Sequence, residues 1–185
     1  MYLIEGQLAG LAPFLWNRMV DSSVLDTGIS GIPSTKDGRL EEAEKKVYVG
    51  ADGDLCIPRL TLKRVILDGA RESKIKVSKV FLSKLVAGAV FVDSDPSFGV
   101  SKRDFIHEAV GKIPPRTGKA AIIRRPALDT GWSLSFRLNV LDEFAAIPSD
   151  QLKAAVALAG VRIGMGSWRP EFGRFMVARW DRVVG

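Results

Sequence analysis

WSLSFRLNVL, from Trp132 to Leu141, alternates without a break: Trp132, Leu134, Phe136, Leu138 and Val140 fall on one side, and Ser133, Ser135, Arg137 and Asn139 on the other. A sustained period of two predicts a strand with one face on a core and one in water. Downstream, Pro148 and Ser149 are placed to open a helix with apolar positions at Leu152, Ala155, Val156 and Ala159, and Gly160 can end it in the left-handed conformation. GRFMVARWD, Gly173 to Asp181, then predicts a closing strand. Upstream, GKAAIIRRP reads as a strand that Pro126 ends, and Ala89 to Val92 is β-like. Between them, Asp93 to Thr117 combines Pro96, Gly99, Gly111, Pro114 and Pro115 with Lys102, Arg103, Lys112 and Arg116, which predicts a protruding basic hairpin.

Further upstream, Leu60, Leu62, Val65, Ile66 and Ala70 follow Pro58 at helical spacing, with Thr61 as a candidate cap. Ser78 is a candidate cap for a second helix through Ala87, apolar at Val80, Phe81, Leu85 and Val86. In VYVGADGDLCIP, Asp52-Gly53 marks a small hairpin. Residues 12–46 lose periodicity and end in the charged run Glu41 to Lys46. Tyr2 to Leu11 reads as the first strand, with Tyr2, Ile4 and Leu8 opposite Leu3, Gln7 and Ala9.

With the insertions set aside, the order is strand, helix, strand, strand, helix, strand. That order predicts an α+β, ferredoxin-like (RRM-like) βαββαβ core: one domain over 1–185, with a long insertion at about 12–57 and a thumb-like basic hairpin insertion at about 88–116. Acylphosphatases, metal chaperones and RNA-recognition modules share this plan, so the fold does not choose a function.

The 185 residues include 27 Lys+Arg, 21 Asp+Glu, one Cys and one His, for a formal charge of +6. A single Cys56 excludes an intrachain disulfide, and with His107 alone it cannot build a Cys/His zinc site. No metal or other cofactor is expected. The N-terminal stretch lacks the basic start of a signal peptide, and no apolar run approaches the roughly 18 residues of a membrane span, so the expected location is a reducing cytoplasm with no membrane partner. Charge is uneven: residues 1–55 are net acidic, whereas 56–140 hold 16 Lys+Arg against seven Asp+Glu. A basic segment of that kind attracts phosphates if its charges share a face.

AGVRIGMGSWRPEFGRF, Ala159 to Phe175, carries Gly160, Gly164, Gly166 and Gly173 after a helix and before a strand. A phosphate-binding P-loop or dinucleotide fingerprint needs the reverse order, so neither fits. Trp168, Arg169 and Phe172 in this loop offer two aromatic faces and a guanidinium for bases or phosphates, or anchor the loop from beneath.

The glycine-rich loop before the last strand, the ferredoxin-like order and the helix entered through LCIPRLTLKRVILDGAR resemble the RAMP superfamily of CRISPR proteins, especially the backbone subunits that line guide RNA. Ile57, Pro58, Leu62, Lys63 and Arg71 carry the likeness at the helix. Arg125, Pro126 and Trp132, with the phrase from Gly164 to Phe175, are similar to segments of phage and prokaryotic proteins. The resemblance implies a subunit that oligomerises side by side into a helical filament along single-stranded RNA or DNA, with a basic hairpin over the strand.

On that reading Arg103, Lys112 and Arg116 clamp from the hairpin, and Lys63, Arg64, Arg71, Lys74 and Lys76 track the backbone. Lys119, Arg124 and Arg125 add charge beside them, while Trp168 and Arg169 stack or bridge to a neighbouring copy. No catalytic residue is expected. The alternatives are a RAMP-type endoribonuclease using Asp21, Asp26, Asp37 or His107, and a structural or anti-defence protein whose basic face docks an acidic partner. Cys56, in an apolar context, reads as a buried small hydrophobe.

Overall fold

The computed structural model describes residues 1–19, 36–113, 119–143 and 146–183. In chain order its elements are β1 (Tyr2–Gly10), β2 (Phe14–Leu15), α1 (Lys36–Glu44), β3 (Tyr48–Val49), β4 (Leu55–Cys56), α2 (Arg59–Ser73), β5 (Lys76–Val77), β6 (Val80–Phe81), α3 (Leu82–Ala89), β7 (Val90–Val92), β8 (Phe105–Ile113), β9 (Lys119–Leu128), β10 (Ser133–Val140), α4 (Ser149–Arg162) and β11 (Phe175–Val183).

The main sheet has the order β11-β1-β10-β7 with antiparallel neighbours throughout. β1-α2-β7 and β10-α4-β11 are thus two interleaved strand-helix-strand units, the ferredoxin-like plan. β10 buries Leu134, Phe136, Leu138 and Val140, the face that the alternation predicts. On β1, Tyr2, Ile4 and Leu8 join them, and Leu62, Val65, Ile66 and Ala70 of α2 with Leu152, Ala155, Val156 and Ala159 of α4 complete the core. Each fully buried large apolar side chain contributes about 1.5–3 kcal/mol. Gly6 also faces the core, and its missing side chain is what admits Phe136 from the paired position on β10: a Cβ at Gly6 would overlap that ring.

Five local expectations change. Pro126 does not end its strand, because β9 continues to Leu128 and pairs Ala127 and Leu128 with β2. Thr61 does not cap α2; the backbone N–H of Arg59 donates to Asp95 Oδ1 at 2.7 Å, so the cap arrives from 36 residues away. Ser78 does not start a helix either, because it sits with Lys79 in the turn of the β5–β6 hairpin and α3 begins at Leu82. The helix α4 runs past Gly160 to Arg162, and Gly164 takes the left-handed backbone instead. Finally, Val90–Val92 is not part of the second insertion: Val90 and Val92 are buried, and the strand pairs with Leu138–Val140 as the edge of the main sheet. The excursion therefore begins at Asp93 and returns only at Trp132, taking in both arms of the β8–β9 hairpin.

The first insertion is built into the domain. β2 pairs with β9, completing a second sheet β2-β9-β8, and the β3–β4 hairpin joins the main sheet's edge through the Cys56–Ser97 bridge. Among the described residues, no helix is long and apolar enough to cross a membrane.

Candidate nucleic-acid interface

The glycine-rich loop between α4 and β11 is fastened to the segment after β1. Leu11 N–H donates to the Arg174 carbonyl at 2.7 Å, Gly173 N–H to Pro13 at 2.8 Å and Ser167 N–H to Leu15 at 3.0 Å. Inside the loop, Met165 N–H donates to the Gly173 carbonyl at 2.9 Å. Gly166 and Gly173 have φ of 83° and 71°, and a Cβ at either would run into backbone, Leu15 O in one case and Met165 O in the other. Only glycine meets both demands. Trp168 is left-handed too, at φ 55°, an uncommon conformation for a large side chain.

The hairpin base abuts this loop. β2 pairs Phe14 with Leu128 and Leu15 with Ala127 of β9, and Trp16 N–H donates to the Pro126 carbonyl at 3.1 Å. Within the hairpin His107 stands opposite Arg125, and both point to the loop. The Arg125 guanidinium lies 3.9 Å from the Trp168 ring centre, while the His107 ring meets Trp168 edge-on at 5.4 Å and Phe172 at 4.8 Å. Nε and Nη1 of Arg125 are buried without a hydrogen-bond partner among the described residues, and burial pulls its pKa below the usual guanidinium value. On the opposite hairpin face, Arg124 is 8% exposed and donates to Glu108 at 2.5 Å.

Beside the loop a cleft of about 270 Å³ opens between Asn17, Tyr48, Pro58, Thr61, Gly166 and Ser167. It combines an amide, three hydroxyls and an aromatic face, and the Arg18 guanidinium lies 5.6 Å from the Tyr48 ring centre. The exposed Arg59 and Arg169 lie on the two segments that border it. The first turn of α2 contains no acid, although the Asp95 carboxylate already meets its N-terminus.

The expected basic residues divide into groups. Lys63 is turned inward: its ammonium donates to the carbonyls of Val86, Ala87 and Val90 at the end of α3, and burial lowers its pKa. It holds helix α3 rather than tracking a strand. Arg103 is also committed, forked onto Glu44 of α1, and it holds that carboxyl below its ordinary pKa. Arg124 is withdrawn by Glu108. Arg64 and Arg71 are exposed and share Asp68, at 3.0 and 3.2 Å. Lys74 and Lys76 are exposed beyond the far end of α2, away from the cleft. Lys112 is exposed on β8, Arg125 and Trp168 form the stacked pair, and Arg169 is exposed in the loop. Arg116 and the side chain of Lys119 lie outside the described residues, as do Asp21, Asp26 and the side chain of Asp37.

The β8–β9 hairpin is not a uniformly basic clamp. Beyond its base it presents Ala109, Val110, Gly111, Ala120, Ala121, Ile122 and Ile123, with Val110 80% exposed. Arg18, Tyr48, Arg59 and Asp95 were not anticipated: Tyr48 lines the cleft, Arg18 sits at its ring, and Asp95 accepts from the N–H of Arg59, next to Pro58 of the cleft wall, and only the acid-before-proline phrase Asp95-Pro96 hints at a cap. Cys56 is buried, and that burial, with Asp95 and Asp52 nearby, pushes its thiol pKa up. Among the described residues no three His, Cys, Asp or Glu side chains gather where a metal could sit.

Neither a protein-family model nor a curated protein sequence matches the chain. A solved structure does: a chain of the type III-B Cmr-beta complex, determined by cryo-EM bound to cognate target RNA, superimposes with a TM-score of 0.61 at 9% identity. The match covers 98% of this chain and 60% of that one, so this chain spans about three fifths of its neighbour's length. At that identity the likeness establishes the fold, which is the one expected from the order of elements.

Proposed function

We propose that this chain is a non-enzymatic subunit of CRISPR type that binds single-stranded RNA, lying beside further copies of itself along the strand. The observation that carries this reading is the convergence, at the N-terminal end of α2, of the glycine-rich loop, the hairpin base and the cleft between Tyr48, Thr61 and Ser167. Arg18, Arg59 and Arg169 meet phosphates there, and Tyr48 offers a stacking face. The fold shared with a chain of an RNA-bound complex supports the choice of RNA over DNA. The environment of His107, packed edge-on against Trp168 and Phe172 without a hydrogen bond or ion pair among the described residues, supports binding over cleavage.

The test is binding of the nuclease-treated protein to labelled single-stranded RNA, single-stranded DNA and duplex of equal length across a salt series, with light scattering of the complexes. Assembly on single-stranded RNA whose affinity falls with salt, by a log-log slope of about −0.7 per phosphate contacted, is the expected result. Absence of binding at low salt sinks the reading, and cleaved RNA sinks its non-enzymatic part.

A further inference from the structure

Besides Trp168, the described non-glycine residues with left-handed backbone are Lys74 (φ 53°), Ser78 (φ 47°) and Lys79 (φ 70°). Ser78 and Lys79 are the two central residues of the β5–β6 hairpin, positions where a two-residue turn favours Asn and Gly. Backbone strain of this sort gathers at functional positions. Here it marks two places, the loop of the candidate interface and this small ribbon.

The ribbon also carries charge of one sign only. From Ser73 to Val92 there are four lysines and no Asp or Glu. Lys74, Lys76, Lys79 and Lys84 are all exposed, and none makes an ion pair among the described residues. The nearest upstream acids are engaged elsewhere, Asp68 by Arg64 and Arg71, Glu72 by Arg162. Val80 and Phe81 are 40% and 43% exposed, and the Lys76 ammonium sits 4.8 Å from the Phe81 ring centre, across the hairpin pair Lys76–Phe81.

The chemistry favours phosphate over carboxylate. Planar carboxylates are matched by the guanidinium fork, yet no arginine occurs between Arg71 and Arg103. Compact ammonium groups act as point charges suited to spaced phosphate oxygens, and an exposed ring between them can take a base face. We propose that the ribbon from Lys74 to Lys84 is a second contact for the phosphodiester backbone of single-stranded nucleic acid. It is separated from the cleft by α2, whose 15 residues span about 22 Å. The proposal rests on the RNA-binding function above, and it means that only a strand long enough to pass from the cleft to the ribbon engages both.

The experiment compares the full chain with a variant carrying Lys74→Ala, Lys76→Ala, Lys79→Ala and Lys84→Ala, using labelled oligouridine of about 30 and about 6 nucleotides over a salt series. With the longer strand the log-log salt slope becomes shallower by about 2 to 3, at about 0.7 per lost contact, while affinity for the shorter one stays within about twofold. A slope unchanged on the longer strand, with the parent protein binding normally, overturns the ribbon and leaves the cleft reading standing. Equal losses on both lengths overturn its separateness from the cleft, and no binding by the parent protein removes both proposals. Tighter, lysine-dependent retention of polyglutamate than of oligouridine replaces the nucleic acid by an acidic protein. Should the fourfold variant fail to fold, Lys76→Gln with Lys84→Gln, both outside the strained positions, is expected to give about half the slope change.

Discussion

The guanidinium of Arg125 lies over the ring of Trp168, 3.9 Å from its centre, and this contact joins the hairpin insertion to the glycine-rich loop. One residue comes from β9 of the second sheet and the other from the turn that leads into β11 of the main sheet. Their contact holds the base of the hairpin against the glycine-rich loop.

A double-mutant cycle on that pair is expected to give a coupling of about 0.5–2 kcal/mol. Trp168→Ala should destabilise the fold. Arg125→Met should leave the thermal midpoint unchanged or raise it, since it keeps a flexible apolar contact and removes two buried donors that have no acceptor among the described residues. Urea denaturation of the four proteins measures this, and simple additivity would show that the stacking carries no energy.

Gly6→Ala should cost about 1–3 kcal/mol, because its methyl would occupy the space of the Phe136 ring. Trimming the ring in Gly6→Ala/Phe136→Leu should recover part of that loss. A single substitution that leaves the denaturation midpoint in place would contradict the packing described.

Lys63→Met removes the donor from the carbonyls of Val86, Ala87 and Val90 and should cost about 1–3 kcal/mol. Hydrogen exchange should quicken first in α3. RNA affinity, measured well below the melting temperature, should stay within about twofold. A large affinity loss with unchanged stability would return Lys63 to the binding surface.

The Glu44–Arg103 pair gives a pH signature. The hydrogen bond from Arg103 holds the Glu44 pKa below its ordinary value, so the folded chain binds the proton less readily than the unfolded chain. The contribution is fully present above the unfolded value of about 4.3 and is lost as pH falls through the lower folded one. Wild type should therefore exceed Glu44→Gln in thermal midpoint at neutral pH, and the two should converge in acid. Parallel curves down to the lowest pH at which both stay folded would remove the pair from the stability of α1.

Composition and periodicity carried much of the architecture. The unbroken alternation of Trp132 to Val140, the helical spacing after Pro58 and Pro148, and the Asp52-Gly53 turn are local signals, and local sterics and burial made them legible. The order of those elements was enough for the ferredoxin-like plan. What depended on contacts distant in sequence was not legible: Asp95 capping α2, Val90–Val92 completing the sheet, and β2 binding the hairpin to the body.

The basic residues show the limit most clearly. A lysine or arginine has the same charge wherever it stands in a sequence, but its partner depends on where the fold takes the end of a long side chain. Lys63 turned inward to backbone carbonyls, Arg103 and Arg124 closed onto glutamates, and Arg125 slid under an indole. Lys74 and Lys76 remained in water with Lys79 and Lys84, at the other end of α2. The sequence alone determined that the middle of the chain is basic; the tertiary structure decided which of those charges are neutralised at home and which are left to meet a partner.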